Sequence, residues 1–301
     1  MDEKSRVIDC CLFAVRTRVQ RPCYANGALK LAQDENGHDL PMKDVPATKE
    51  EVEGMKSVKA DAETTKLMAV PDRWTSGWRR IPGSLTNVAV SSLGSIYGVN
   101  RYRHIWTKRA WNRGNWRRLP GSLTQISVNT GGTIVTGVNR HRQIWYTRVN
   151  VRNLGAVSWR NAPGRLVDVT SGRTFMYGVN SHDHIWRANL MNRNWCRLPG
   201  ALKQISAHGT KVVGVNRHGH VWQYIGYGRW RHIRAPRARW ASMGRDGDLW
   251  VIATNQLIYR RFGARFRRIP GALVQIDVAD RNNIVGVNRY RQIWAWGMCW
   301  W

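Results

Sequence analysis

The chain is 301 residues long and carries 48 Lys+Arg against 19 Asp+Glu, a formal net charge of +29. No stretch approaches the about 20 apolar residues of a membrane-spanning helix, and the five cysteines (Cys10, Cys11, Cys23, Cys196, Cys299) are an odd number with no metal-ligand spacing. A charge of this size and sign implies an anionic partner, because it costs the isolated fold self-repulsion and concentrates polyanions near the surface.

Residues 1–71 hold 11 Lys+Arg and 12 Asp+Glu, which leaves 37 and 7 for residues 72–301, so the excess sits wholly in the second part. The first part has no Trp, one Phe and one Tyr, and its run DVPATKEEVEGMKSVKADAETTK is charged and poorly apolar. It reads as an extension that is flexible alone, or ordered only against a partner. Asp2 and Glu3 stand where a secretory signal has basic residues, Asp9 interrupts the only apolar run, and no N-x-S/T sequon occurs. These features favour the cytoplasm or an unconventional route.

From Trp78 onward two phrases alternate. WRRIPG at Trp78 returns as WRRLPG at Trp116, WRNAPG at Trp159, WCRLPG at Trp195, a degenerate WRHIRAP at Trp230, and FRRIPG at Phe266. GVNRYRHIW at Gly98 returns in close variants at Gly137, Gly178, Gly214 and Gly286. The first-phrase anchors are 38, 43, 36, 35 and 36 residues apart, a period that signals solenoids or propellers. Within a unit, LTNVAV alternates, SSLG breaks it, SIYGV is rich in β-formers, NRYRH reverses the chain, IWTKR resumes, and NWRRL closes before Pro-Gly. The pattern predicts a four-stranded antiparallel blade, strands a to d, in every unit. The chain shows d at Trp78–Ile81 before any a, and its last unit shows a, b and c with no WxxxPG after it. The expected fold is therefore an all-β, six-bladed propeller over residues 72–301, closed by the N-terminal strand near Trp78.

The WxxxPG phrase, the L-x-x-I/V-x-V strand and the GVN…IW hairpin together resemble the tectonin repeats of fish-egg lectins, tachylectins and related tectonins, over about Arg73 to Trp301. The resemblance implies a carbohydrate-binding propeller that recognises N-acetylglucosamine-type sugars or bacterial lipopolysaccharide, and it favours a place outside the cell, in conflict with the start of the chain; no cofactor is expected.

Much of the hairpin phrase has a structural reading. Gly98 leaves room between blades, Val99 points into the core, and Asn100 suits a turn start. Trp106, Trp145, Trp186, Trp222 and Trp294, with Tyr259 in the fifth unit, recur once per blade and are expected in the inter-blade core. The turn residues are left over. In a meander every b–c turn emerges on the disc face that also carries the Pro-Gly corners. The candidate ligand residues are therefore Asn100, Arg101, Arg103 and His104; Asn139, Arg140 and Arg142; Asn180 and His182; Asn216, Arg217 and His220; and Asn288, Arg289 and Arg291. A loop aromatic, Trp111 or Tyr227, would lie beneath a sugar ring. The fifth unit, with Thr254, Asn255 and Gln256, leaves a gap in this basic ring. Six of the nine His (His104, His141, His182, His184, His218, His220) share these turns, so polyanions should bind more tightly at pH 5.5 than at pH 8.

Of the 37 bases after residue 71, 34 are Arg, whose planar fork grips phosphate, sulfate or carboxylate with two hydrogen bonds. The extension has 7 Lys to 4 Arg, so the preference is not uniform along the chain. Glycans or lipopolysaccharide are the leading expected partners. Acidic protein surfaces or other polyanions, bound by a basic scaffold, are the alternative, and nonspecific nucleic acid binding would follow from the charge. The seven Asp after residue 71 (Asp72, Asp168, Asp183, Asp246, Asp248, Asp277, Asp280) are scattered, and no nucleophile-and-base or metal motif appears. No catalytic or metal site is expected.

Overall fold

The computed structural model describes residues 77–109, 115–190 and 194–297. The described residues form 24 strands and no helix, arranged as six four-stranded antiparallel sheets. Each sheet is a meander with strand a innermost. The six a strands are Asn87–Val90, Gln125–Val128, Asp168–Ser171, Gln204–His208, Ala238–Met243 and Gln275–Asp280. Each packs against the next, and the sixth packs against the first, so the ring is closed. The six-bladed propeller expected from the repeat is the fold observed.

Closure also follows the sequence. The outer strand of the last blade is Trp78–Ser84, which pairs with Gln292–Trp296 in the register Trp78↔Trp296 to Ile81↔Ile293. Trp78, Trp296 and Trp250 of blade 5 form an edge-to-face trio with centroids 5.3 to 5.9 Å apart, and Trp78 is 3% exposed. Such pairs add about 0.5–1.5 kcal/mol beyond area burial.

The repeated phrases have distinct packing jobs. At each Pro-Gly the outer strand bulges against strand c, as between Ile81 and Ser84, and Gly83 takes φ +125, a region L side chains avoid. The tryptophan that opens the next outer strand then seats on the bulge. The indole N–H groups of Trp116, Trp159 and Trp230 donate to the carbonyls of Pro82, Pro120 and Pro199 of the preceding blade at 2.6, 2.8 and 3.0 Å. Further in, a Cβ on Gly98 would meet Leu85 Cδ1 at 2.4 Å, and Gly137, Gly178, Gly214 and Gly286 are covered in the same way by Leu123, Leu166, Leu202 and Leu273. Blade 5 inverts the pair, with Ala238 in the leucine position and Val251 in the glycine position, both in one core cluster.

The strand-c aromatics depart from expectation. Only Trp294 is fully buried; Trp106, Trp145, Trp186, Trp222 and Tyr259 are half-buried and pack against the edges of the inter-blade clusters. Strand c is third from the axis, where the gap between wedge-shaped blades widens. The aliphatic residues on the two inner strands, such as Val88, Ile96 and Val99, fill the core instead. The fifth blade is an ordinary four-stranded sheet of the ring despite its divergent turn.

Candidate functional site

Each b–c hairpin is a type I turn ending in a left-handed residue. The Asn100 carbonyl accepts the Arg103 N–H at 2.8 Å, and its Oδ1 accepts the N–H groups of Tyr102 and His104 at 3.0 and 2.9 Å. Asn139, Asn180, Asn216 and Asn288 repeat this. These five amide oxygens are committed to the turn, and what projects from it is the Arg, Tyr and His residues between. The left-handed position is held by Arg103, Arg142, Asp183, Gly219, Gln256 and Arg291, with φ between 62 and 81°. The carbonyl of each accepts an N–H from the corner between an outer strand and the next inner one, from Leu123, Leu166, Leu202, Ala238, Leu273 and Leu85 in turn, at 2.8 to 3.0 Å. Turns and corners are thus bonded together six times around one face.

On that face Arg101, Arg103, Arg140, Arg142, Arg217 and Arg289 are exposed and Arg291 is half-buried. Arg101 and Arg289 lie over the Tyr102 and Tyr290 rings at 4.5 and 4.7 Å, which holds their planes at the surface. Arg140 Nε donates to His141 Nε2 at 2.8 Å. The rings of Tyr102 and His104, His182 and His184, and His218 and His220 lean together in pairs 5.9 to 6.2 Å apart.

The carboxylates are segregated by face. Asp246, Asp248 and Asp280 lie on the opposite face, in a–b turns, where they pair with Arg281 at 3.1 Å, Arg260 at 2.9 Å and Arg245 at 3.6 Å. Burial pushes the Asp246 carboxyl up, but N–H bonds from Arg281 and Asp248 and the Arg281 guanidinium outweigh it and hold the group below its ordinary value. Among the described residues the b–c face carries only Asp183, bound by Arg217 at 2.8 Å, and the buried Asp168. Tyr227, 72% exposed, sits in a c–d turn and so belongs to the face opposite the arginine turns; the two are not brought together. Trp111 lies outside the described residues. Among the described residues no three His, Cys, Asp or Glu side chains cluster as metal ligands would.

At the centre of the b–c face the inner strands enclose a funnel of about 650 Å³. The third residue after each corner points into it: Asn87, Gln125, Asp168, Gln204, Trp240 and Gln275. Five of these side chains lock the ring, each accepting a backbone N–H from the next inner strand: Asn87 from Ile126, Gln125 from Val169, Asp168 from Ile205, Gln204 from Ala241 and Gln275 from Val88, at 2.9 to 3.3 Å. Trp240 stands in the sixth place, where an indole has no acceptor to offer. Below, His208 is fully buried and reaches across the axis to Asp277 Oδ1 at 2.9 Å. The Asp168 carboxyl is pushed up to about 7, chiefly by burial; the N–H bond from Ile205 and the nearby Val169 N–H oppose the shift, and the Asp277 carboxylate adds to it. None of these residues figures among the sequence candidates. The available signal was the polar residue recurring two places after the leucine, in LTN, LTQ, LVD, LKQ and LVQ.

The Tectonin domain family model matches residues 42–235 and 201–298. No curated protein matches the chain. Among solved structures, a Bacteroides thetaiotaomicron VPI-5482 structural-genomics protein of unknown function aligns with TM-score 0.56 at 9% identity, over 74% of this chain and 70% of that one. U3-55K aligns with TM-score 0.53 at 11% identity over 73% and 80%, and the RRP9 WD40 repeats with 0.52 at 12% over 73% and 78%. At these identities the likeness is one of fold alone.

Proposed function

This chain belongs to the tectonin family, and we propose that it is a non-enzymatic lectin for anionic glycans of the lipopolysaccharide or N-acetylglucosamine-containing kind, held on the b–c face of the propeller. The observation that carries the reading is the charge segregation: seven turn arginines share one face whose only described carboxylates are a paired Asp183 and a buried Asp168. Solubility alone is served by mixed charges. Two further features support it. Arg fills the left-handed position at Arg103, Arg142 and Arg291, where Gly219 shows that glycine fits, and a left-handed non-glycine residue costs about 1–2 kcal/mol. The turns also repeat around the ring, so weak contacts add as avidity on an arrayed glycan.

The same single-signed face favours a second reading, a basic scaffold that grips an acidic protein assembly with no role for sugar. Immobilised lipopolysaccharide and N-acetylglucosamine at physiological salt separate the two. A lectin is retained and released by free sugar. Release by salt alone, with sugar inert, rejects the lectin and leaves the scaffold.

A further inference from the structure

The funnel has features that ring closure does not require. Asp168 and Gln204, on neighbouring blades, are 6% and 4% exposed. Each uses one side-chain atom in the ring lock, and each keeps a second, buried one that has no partner: Asp168 Oδ1 and Gln204 Nε2. Buried polar atoms without partners cost about 1–3 kcal/mol each, and native proteins keep few of them. Gln125 and Gln275 show that the cost is avoidable here, because their Nε2 groups donate to the Val169 and Val88 carbonyls at 2.9 and 2.8 Å. The same wall carries Trp240, half-buried, where the other five blades have a ring-locking polar residue. At the mouth stand Lys203, Arg239 and Arg217, of which Arg217 is held by Asp183.

An acceptor and a donor on adjoining inner strands of one funnel match a sugar hydroxyl, which donates to one and accepts from the other. An indole wall supplies the apolar surface that a sugar ring's C–H face covers, and cations at the mouth suit an anionic substituent. We propose that the central funnel is a single ligand site for one sugar residue bearing a phosphate or sulfate, with the ring against Trp240, a hydroxyl between Asp168 Oδ1 and Gln204 Nε2, and the anion toward Lys203 and Arg239. The site rests on the lectin reading and deepens it. It differs from the turns by occurring once per chain, since only one blade carries the tryptophan and only one neighbouring pair carries the free atoms.

The test is calorimetric titration of the full chain with N-acetylglucosamine 6-phosphate, N-acetylglucosamine and inorganic phosphate at physiological salt. The expected result is one site per chain, with the phosphosugar bound more tightly than either fragment. Trp240→Gln installs the residue type that locks other blades, so it should fold at least as well as the parent, yet bind the phosphosugar about tenfold more weakly. Asp168→Ala should also weaken binding, and Lys203→Ala with Arg239→Ala should erase the difference between phosphosugar and sugar. A stoichiometry near five or six, or affinity unchanged in folded Trp240→Gln and Asp168→Ala, overturns the funnel site and leaves the lectin reading standing. Inorganic phosphate binding as tightly as the phosphosugar reduces the funnel to an anion trap and overturns the sugar. Failure of every sugar, with lipopolysaccharide retained only through salt-sensitive contacts, overturns the lectin reading and the funnel site with it.

Discussion

The leucine–glycine pairs show how one side chain's volume is fixed by another residue's lack of one. A Cβ at Gly98 would stand 2.4 Å from Leu85 Cδ1 and 3.0 Å from the Asn87 carbonyl. Blade 5 solves the same problem with Ala238 and Val251, together with a register irregularity between Ala238 and Trp240. Leu85→Ala should therefore cost about 2–5 kcal/mol, and Gly98→Val at least the about 1–3 kcal/mol of overpacking. The double variant should lose less than the sum by about 1 kcal/mol or more, read from denaturant midpoints; strict additivity would mean that the two positions do not share space. Asp168 makes a prediction of opposite kind. Its folded carboxyl is raised from 3.8 to about 7, so it contributes stability that is fully present below pH 4 and lost as pH rises through 7. Asp168→Asn keeps an oxygen for the Ile205 N–H and cannot ionise. It should melt higher than the parent at pH 8, by on the order of 2–4 kcal/mol at about 1.4 kcal/mol per pH unit, and the advantage should vanish near pH 4. Equal gains at both pH values would mean that ionisation is not the cause. The structural use of Gly98 and Asn100 was legible in the sequence because a turn and a close approach are local demands. The role of Asp168 was not, since the group that buries it is the rest of the ring.

At the scale of the element, the closing strand Trp78–Ser84 decides whether the disc is a ring. It supplies the outer edge of the last blade and one corner of the Trp78–Trp250–Trp296 trio. Trp78→Ala should cost about 3–5 kcal/mol, in the range of buried aromatic truncations. A chain starting at Leu85 should expose the edge of Gln292–Trp296 and associate, which sedimentation would detect; a monomeric, equally stable truncation would show that closure lies elsewhere. The two tryptophan series also sort by element. Those on strand c, Trp294 excepted, lean on the cluster edges, while Trp116, Trp159 and Trp230 of the outer strands hydrogen-bond to the blade before. The phrase WxxxPG announced the strand and its bulge, but its bond crosses to a proline 31 to 39 residues away, a distance no local pattern reports.

At the scale of the whole molecule, arginines are exposed on both faces of the disc, but Asp246, Asp248 and Asp280 lie on the face opposite the arginine turns. Replacing Arg101, Arg140 and Arg289 by Ser should weaken lipopolysaccharide retention and flatten its salt dependence by about one contact per arginine. Replacing Arg173, Arg229 and Arg265, exposed on the opposite face, should do neither beyond the general loss of charge. Equal effects from both sets would show that net charge, rather than one face, holds the ligand. A binding profile that is flat from pH 5.5 to pH 8 at constant salt would remove the turn histidines from the interaction.

The sequence by itself determined the blade, its repeat number, the closing strand and the placing of the arginine turns on one side, because hairpins and meanders are set by residues within a few positions of each other. Only the tertiary structure decided that Asp246, Asp248 and Asp280 face away from those turns, that Tyr227 does too, and that six inner strands surround a funnel with a tryptophan and two free polar atoms in its wall. Those facts follow from closing the ring, which brings together residues separated by whole blades and fixes which side chains meet water and which meet one another.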